Sequence, residues 1–231
     1  MRKPSLLIAL TGATTLSVTL LVSAQQTATS PGVHPISGRR YALPMSYLGA
    51  DWLDRNERVN EEEPDIALDA IKLVQGSTVA DVGAGSGYMT VKMAKRVGPS
   101  GKVYANDIQP EMLALLRERL SREKVMNVET VLGTFDDPKL PAGAIDLILM
   151  VDVYHEFSEP QKMLQRMRET LKPGGRLVLL EYRKEDPAVP IKFEHKMSVA
   201  EAKMEVEAEG YKLSKVDEVL PRQHILIFTR P

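Results

Sequence analysis

Gly83, Gly85 and Gly87 alternate directly after the apolar stretch Val79-Ala80-Asp81-Val82. Glycines at such a strand-to-helix turn let the backbone take positive φ and approach a ligand closely, and backbone N–H groups at the start of the next helix can then face it. The spacing excludes two phosphate cradles. A dinucleotide fingerprint needs its third glycine at 88 or 90, where Tyr88 and Thr90 stand, and no Gly-Lys-Ser/Thr follows to make a Walker loop. Asp81 lies at the strand end beside the glycines, and a carboxylate there suits a cationic ligand better than a pyrophosphate. Asp107 lies 20 residues beyond Gly87, where an acidic residue at the end of the next strand can accept both ribose hydroxyls of a nucleoside. The other role open to it is a cap on the helix starting near Pro110. Further on, Asp152-Val153-Tyr154-His155-Glu156-Phe157 follows an apolar run. His155, with Glu156 beside it, is the candidate general base. Alternatively Tyr154, His155 and Phe157 only wall a pocket. Glu181 and His195 are weaker candidates for the same role, and no metal site is expected.

These residues need elements to position them. The periodicity predicts a helix from Pro64 to about Val74 closed by Gly76, a strand at 78–82, and a helix through Met89, Val91, Met93, Ala94 and Val97. A strand from Lys102 to Asn106 leads to a helix over Glu111 to Arg122, with Met112, Leu113, Leu115, Leu116 and Leu120 inward. Strands at 128–132 and 145–151 follow, then a helix from Gln161 ended by Lys172-Pro173-Gly174-Gly175, and a fifth strand from Arg176 to Glu181. Ser198 with Glu201 makes a capping box for a helix to Glu209, and two strands near 212–218 and 224–229 close the chain. Strands alternating with helices until a final hairpin predict an α/β fold with a mostly parallel, doubly wound sheet. In such a sheet strands one and four flank the point where strand order reverses, and ligands bind there.

The 231 residues carry a net charge of −1, with basic residues dispersed and no cysteine. One domain of this length has an adequate core, the footprint of a nucleic-acid binder is missing, and there is neither a disulfide framework nor a lipobox thiol. Met1-Arg2-Lys3, the apolar run Leu6 to Val22 and Val22-Ser23-Ala24 before Gln25 make a signal-peptide pattern over 1–24. The expectation is export to the periplasm or medium, without stable membrane contact after cleavage; the alternative is an uncleaved anchor helix, for which a run near 17 residues is at the short limit. Residues 25–45, rich in Ser, Thr, Pro and Gly, read as a flexible leader, and 46–231 as the functional domain. The Tyr47 to Glu63 segment either packs on the core or forms a lid that brings Trp52 onto the site.

The order of Asp81 to Gly87, Asp107, Thr134, His155 and Leu171-Lys172-Pro173-Gly174-Gly175 resembles the class I S-adenosylmethionine-dependent methyltransferases. The resemblance covers about Pro64 to Pro231. It implies a three-layer, seven-stranded Rossmann-like sheet with one antiparallel strand, and S-adenosylmethionine as cofactor. It also implies methyl transfer from a sulfonium to a small-molecule acceptor. Asp81, Gly83, Ala84, Gly85, Gly87, Asp107, Ile108, Thr134, Phe135 and Val151 would hold the cofactor. Thr134 stands where many members carry Asp, so Asp136 or a backbone carbonyl could meet the adenine amino group instead. The tetrad Asn-Pro-Pro-Tyr of nucleic-acid amino methylation is replaced by Val151-Asp152-Val153-Tyr154. The competing functions are a protein that binds S-adenosylmethionine without turnover and, disfavoured by the glycine spacing, a nicotinamide-dependent reductase.

Overall fold

The computed structural model describes residues 32–231; the signal-peptide expectation lies outside them. Short helices α1 (Ala50–Leu53) and α2 (Arg58–Glu62) precede α3 (Pro64–Ile71), β1 (Thr78–Val82), α4 (Tyr88–Val97), β2 (Lys102–Asp107), α5 (Pro110–Glu123), β3 (Val128–Leu132) and β4 (Ile145–Val151). Then come α6 (Pro160–Thr170), β5 (Leu171–Tyr182), α7 (Val199–Ala208), β6 (Lys212–Asp217) and β7 (Gln223–Thr229). Among the described residues seven strands form one sheet in the order β3-β2-β1-β4-β5-β7-β6. The other neighbouring strands pair in parallel, and β7 alone runs antiparallel to both of its neighbours. This is the expected doubly wound sheet, with β1 and β4 adjacent at the reversal of strand order.

Alternation along the central strands explains the two cores. Val79, Leu147 and Leu149 pack with Leu68 and Ile71 of α3 and Met93 of α4. Ala80, Ile148 and Met150 face the other way, onto Met163 and Leu164 of α6 and Val206 of α7. Strands buried on both faces need this continuous apolar character, and each fully buried large side chain stabilises the fold by roughly 1.5–3 kcal/mol.

Several boundaries differ from expectation. Helix α3 stops at Ile71 because Lys72 takes a left-handed conformation, φ 53°. Arg176 Nη1 donates to the Ile71 carbonyl at 2.6 Å, satisfying a carbonyl the helix end leaves over. Leu115 is exposed, lying off the stripe formed by Met112, Leu113, Leu116 and Leu120. Leu171 already pairs with Ile145, so β5 begins where α6 ends and carries Pro173-Gly174-Gly175 within its span. The capping box is formed: Ser198 Oγ accepts from Glu201 N at 3.1 Å and Glu201 Oε2 accepts from Ser198 N at 3.0 Å.

The largest departure is the leader. Residues 32–45 pack on the domain, with His34, Arg39, Tyr41 and Ala42 buried. Arg39 grips Glu205 of α7 with two hydrogen bonds of 3.0 and 2.9 Å, and its third nitrogen donates to the His155 carbonyl at 3.0 Å. Composition misses this because one buried bidentate ion pair and two aromatic contacts, not apolar periodicity, hold the segment down.

Candidate active site

A cleft opens at the C-terminal ends of β1, β2 and β4. Gly83, Gly85, Asp107, Ile108, Thr134, Phe135, Val151 and Glu156 line it, as do Asp152 and, from the N-terminal segment, Pro44, Met45 and Leu53. A smaller cavity shares Leu53, Gly83 and Val151 as walls and is lined further by Arg58, Asp81, Ala84 and Ser86. Gly87 reaches neither. It begins α4 at φ 87°, and a Cβ there would meet Leu116 Cδ1 at 2.0 Å, so its glycine character serves helix-to-helix packing.

Within the loop, most backbone donors are spent internally, which corrects the picture of N–H groups aimed at a ligand. Gly83 N and Ala84 N both donate to the Asn106 carbonyl at 2.9 Å, and Gly87 N donates to the Ala84 carbonyl at 3.0 Å. Gly85 N donates to Asp107 Oδ2 at 2.9 Å, and Gln109 N to Asp107 Oδ1 at 2.9 Å. The glycines therefore provide clearance: a Cβ on Gly83 would meet Val153 Cγ2 at 2.4 Å and one on Gly85 would meet Leu53 Cδ1 at 2.6 Å. The N-cap of α5 is Gln109, not Asp107. Burial raises the Asp107 carboxyl above its usual range, partly offset by the N–H groups of Gln109 and Gly85. Burial also pushes Asp81 up to about 6, with Thr90 Oγ1 donating to it at 2.5 Å.

The Tyr47 to Glu63 segment meets the cleft through a residue other than the one named. Leu53, rather than Trp52, covers the glycine loop. Trp52 is half exposed with the Arg55 guanidinium 3.7 Å from its ring centroid. Gln109 ties the segment across the mouth, donating to the Met45 carbonyl at 2.8 Å and accepting from Tyr47 N at 2.9 Å. Thr134 is exposed at the other end, its hydroxyl 2.8 Å from Asp136 Oδ1.

Beyond β4 the chain turns sharply. Asp152 has φ 52°, a strained value for a residue other than glycine, and its Oδ1 is buried without a partner while Oδ2 accepts from Gln223 Nε2 at 2.7 Å. Burial, then the charges of Glu62 and Glu181, push this carboxyl well above its usual range. The 3-10 turn Tyr154–Glu156 then sends neighbours in different directions. Glu156 lines the cleft, its carboxyl raised by burial to about 7. His155 is not among the lining residues; its Nδ1 meets Glu181 Oε2 at 2.6 Å and its Nε2 meets His195 Nδ1 at 3.1 Å. Burial lowers the His155 pKa, but the Glu181 charge outweighs it and the net shift is upward. Asp152 and Gln109 are the functional candidates that sequence reasoning passed over. An Asp at the end of the fourth strand was the available signal for the first; nothing local marks the second.

The cleft thus carries the carboxylates of Asp107, Asp152 and Glu156 and no basic side chain among the described residues. A pyrophosphate does not fit such a lining, whereas a cationic nucleoside does. A family model described as a methyltransferase domain matches residues 73–221. The chain belongs to the class I S-adenosylmethionine-dependent methyltransferase family.

A ubiquinone/menaquinone biosynthesis C-methyltransferase, UbiE, from Escherichia fergusonii is 36% identical over 118 residues, 51% of this chain and 47% of that protein. The chain therefore spans about half the length of the curated relatives it matches. A S-adenosylmethionine-dependent methyltransferase of known structure from Aquifex aeolicus is 29% identical with a TM-score of 0.77, covering 81% of this chain and all of that one, 100%. The [4+2]-cyclase SpnF, 15% identical with a TM-score of 0.63 over 85% of this chain and 89% of that one, shares the fold alone.

The family implies S-adenosylmethionine, and the residues present fit it. Ser86 Oγ is buried without a partner beside Asp81 and Arg58 in the smaller cavity, a polar set suited to an amino-acid end. The cleft proper supplies Asp107 for a ribose and carboxylates for a cation.

Proposed function

We propose that the protein transfers a methyl group from S-adenosylmethionine to a small apolar molecule held in the cleft. The observation that carries this is the lining just described: the glycine loop at the end of β1, three carboxyl groups and no basic side chain. Bound S-adenosylmethionine supplies an electrophilic methyl on a sulfonium. Asp107 would accept the ribose hydroxyls on its free lone pairs, Thr134, Phe135 and Ile108 would hold the adenine, and Asp81, Arg58 and Ser86 the methionine end. Glu156 and Asp152 both line the cleft, and Glu156, its carboxyl pushed up to about 7, would accept the proton that the acceptor gives up. His155, held between Glu181 and His195, lies outside the cleft lining and would not meet the acceptor. The lining of Met45, Met112, Val153, Phe157 and Met163 favours a flat apolar acceptor. Likeness to a quinone-pathway C-methyltransferase supports an aromatic carbon as the methylated atom.

Tritiated S-adenosylmethionine added to a lipid-soluble and a water-soluble extract, with the labelled product identified, tests the reading. Label in a small organic product, reduced at least about tenfold by Asp152→Asn or Glu156→Gln, is the expected result. Tight cofactor binding with no labelled product would favour a protein that holds the cofactor without turnover, and SpnF illustrates that this fold does not dictate its chemistry. We also propose export, on the signal-peptide pattern alone. An intact mass of the native protein beginning near Gln25, in a fraction outside the cytoplasm, is expected; a mass retaining Met1 to Ala24 would overturn it.

A further inference from the structure

Behind the cleft wall, three donor groups from two separate turns converge. One ring nitrogen of His155, one of His195 and a Glu156 carboxylate oxygen all lie within 4.8 Å of one another. The turn Tyr154–Glu156 contributes two of them, and the turn Phe193–His195, 40 residues on, brings the third. We infer that His155, His195 and Glu156 form a binding site for a divalent transition-metal ion of the zinc class.

Three features of the geometry support this. Glu181 accepts from His155 Nδ1 at 2.6 Å, which places the ring proton on Nδ1 and turns the Nε2 lone pair toward His195. A carboxylate behind an imidazole is the arrangement that orients histidine ligands and raises their basicity. The two facing ring nitrogens are 3.1 Å apart with ring planes at 79°. A tetrahedral zinc with bonds of about 2.0–2.1 Å holds two such nitrogens about 3.3 Å apart, so a small relaxation seats the ion. The imidazole and carboxylate donor set suits zinc and its neighbours better than calcium or magnesium.

Charge also favours a cation. Glu181 is fully buried, Asp152 and Glu156 stand beside it, and the guanidinium of Arg39 is already held by Glu205. Three protein ligands leave a tetrahedral ion one open position, the pattern of catalytic rather than structural zinc. Because Glu156 also lines the cleft, the ion would sit in its wall. The inference does not rest on methyl transfer: a protein that only stores cofactor would hold the ion equally well.

The test uses purified protein stripped with a chelator and titrated with Zn²⁺ by calorimetry, and with Co²⁺ for its visible ligand-field bands. One equivalent of Zn²⁺ with proton release, and bands of four- or five-coordinate Co²⁺, are expected. His195→Ala, at a half-buried loop position, and Glu156→Gln should each weaken Zn²⁺ binding at least about tenfold. Glu181→Gln, which keeps the shape behind His155, should weaken it about 10- to 100-fold. Absence of saturable binding in the wild type, or unchanged affinity in folded His195→Ala and Glu156→Gln, would overturn the site and leave a plain histidine-to-histidine hydrogen bond.

Discussion

His155 Nδ1 lies 2.6 Å from Glu181 Oε2, with both side chains buried. That contact turns the imidazole away from the cleft while its sequence neighbour Glu156 faces it. Glu181 also accepts from Tyr154 N at 3.0 Å, so it organises the whole turn. Glu181→Ala removes both bonds and strands a buried ring. A loss of about 3–5 kcal/mol in unfolding free energy by urea titration is expected, with a smaller loss for Glu181→Gln. Equal stability of Glu181→Ala and wild type would show that the contact organises nothing.

Cofactor affinity should depend on clearance at Gly85 and on the Asp107 carboxylate. Gly85→Val places a branched side chain at φ 54° against Leu53. Asp107→Ala frees Gly85 N and Gln109 N and deletes the ribose acceptor. Loss of hydrogen bonds to a charged group costs about 1.5–3 kcal/mol, or roughly 10- to 150-fold in Kd by calorimetry. Unchanged affinity in both variants would remove the glycine loop from the cofactor site.

Asp81 gives a pH dependence whose sign follows from its burial. With a free-protein pKa pushed up to about 6, it is largely neutral at pH 5 and ionised at pH 8. An ammonium group binds the ionised form, so the affinity for S-adenosylmethionine should rise as pH rises through about 6, with a further rise near 7 as Glu156 in the cleft ionises. Asp81→Asn should flatten the first rise, and adenosine, which has no ammonium, should show no corresponding rise. For stability the sign is reversed. A carboxyl whose folded pKa exceeds its unfolded one penalises the fold increasingly between those two values as pH rises. The free protein should therefore lose part of its stability between about pH 4 and pH 6, and Asp81→Asn should lose less.

The N-terminal segment should be an integral part of the domain. Arg39, Ser37 and His34 all face Glu205, which is fully buried in α7. Arg39→Ala leaves that carboxylate without its bidentate partner, and a cost of about 3–5 kcal/mol is expected in denaturant unfolding. A chain starting at residue 46 should lose at least as much, measured against one starting at residue 32. If both starts unfold at the same denaturant concentration, the segment is dispensable.

Local pattern determined the sheet and the glycine loop that follows β1. Alternating and continuous apolar runs announce β1, β2 and β4, because a strand between two helical layers must be apolar on both faces. Three glycines and an acidic residue one strand later announce the loop, because close approach and positive φ are demands that only short stretches of sequence can meet. The direction of a side chain in a tight turn is not written locally. His155 and Glu156 are adjacent, yet Glu181 on the next strand captures one and leaves the other to the cleft. Leu53, not Trp52, covers Gly85 because α1 presents that face to the loop. The hold of Arg39 on Glu205, 166 residues away, gives a polar leader its fixed place. Each of these is a contact between distant segments whose energy exists only once the sheet has brought them together, and so the tertiary structure alone decided them.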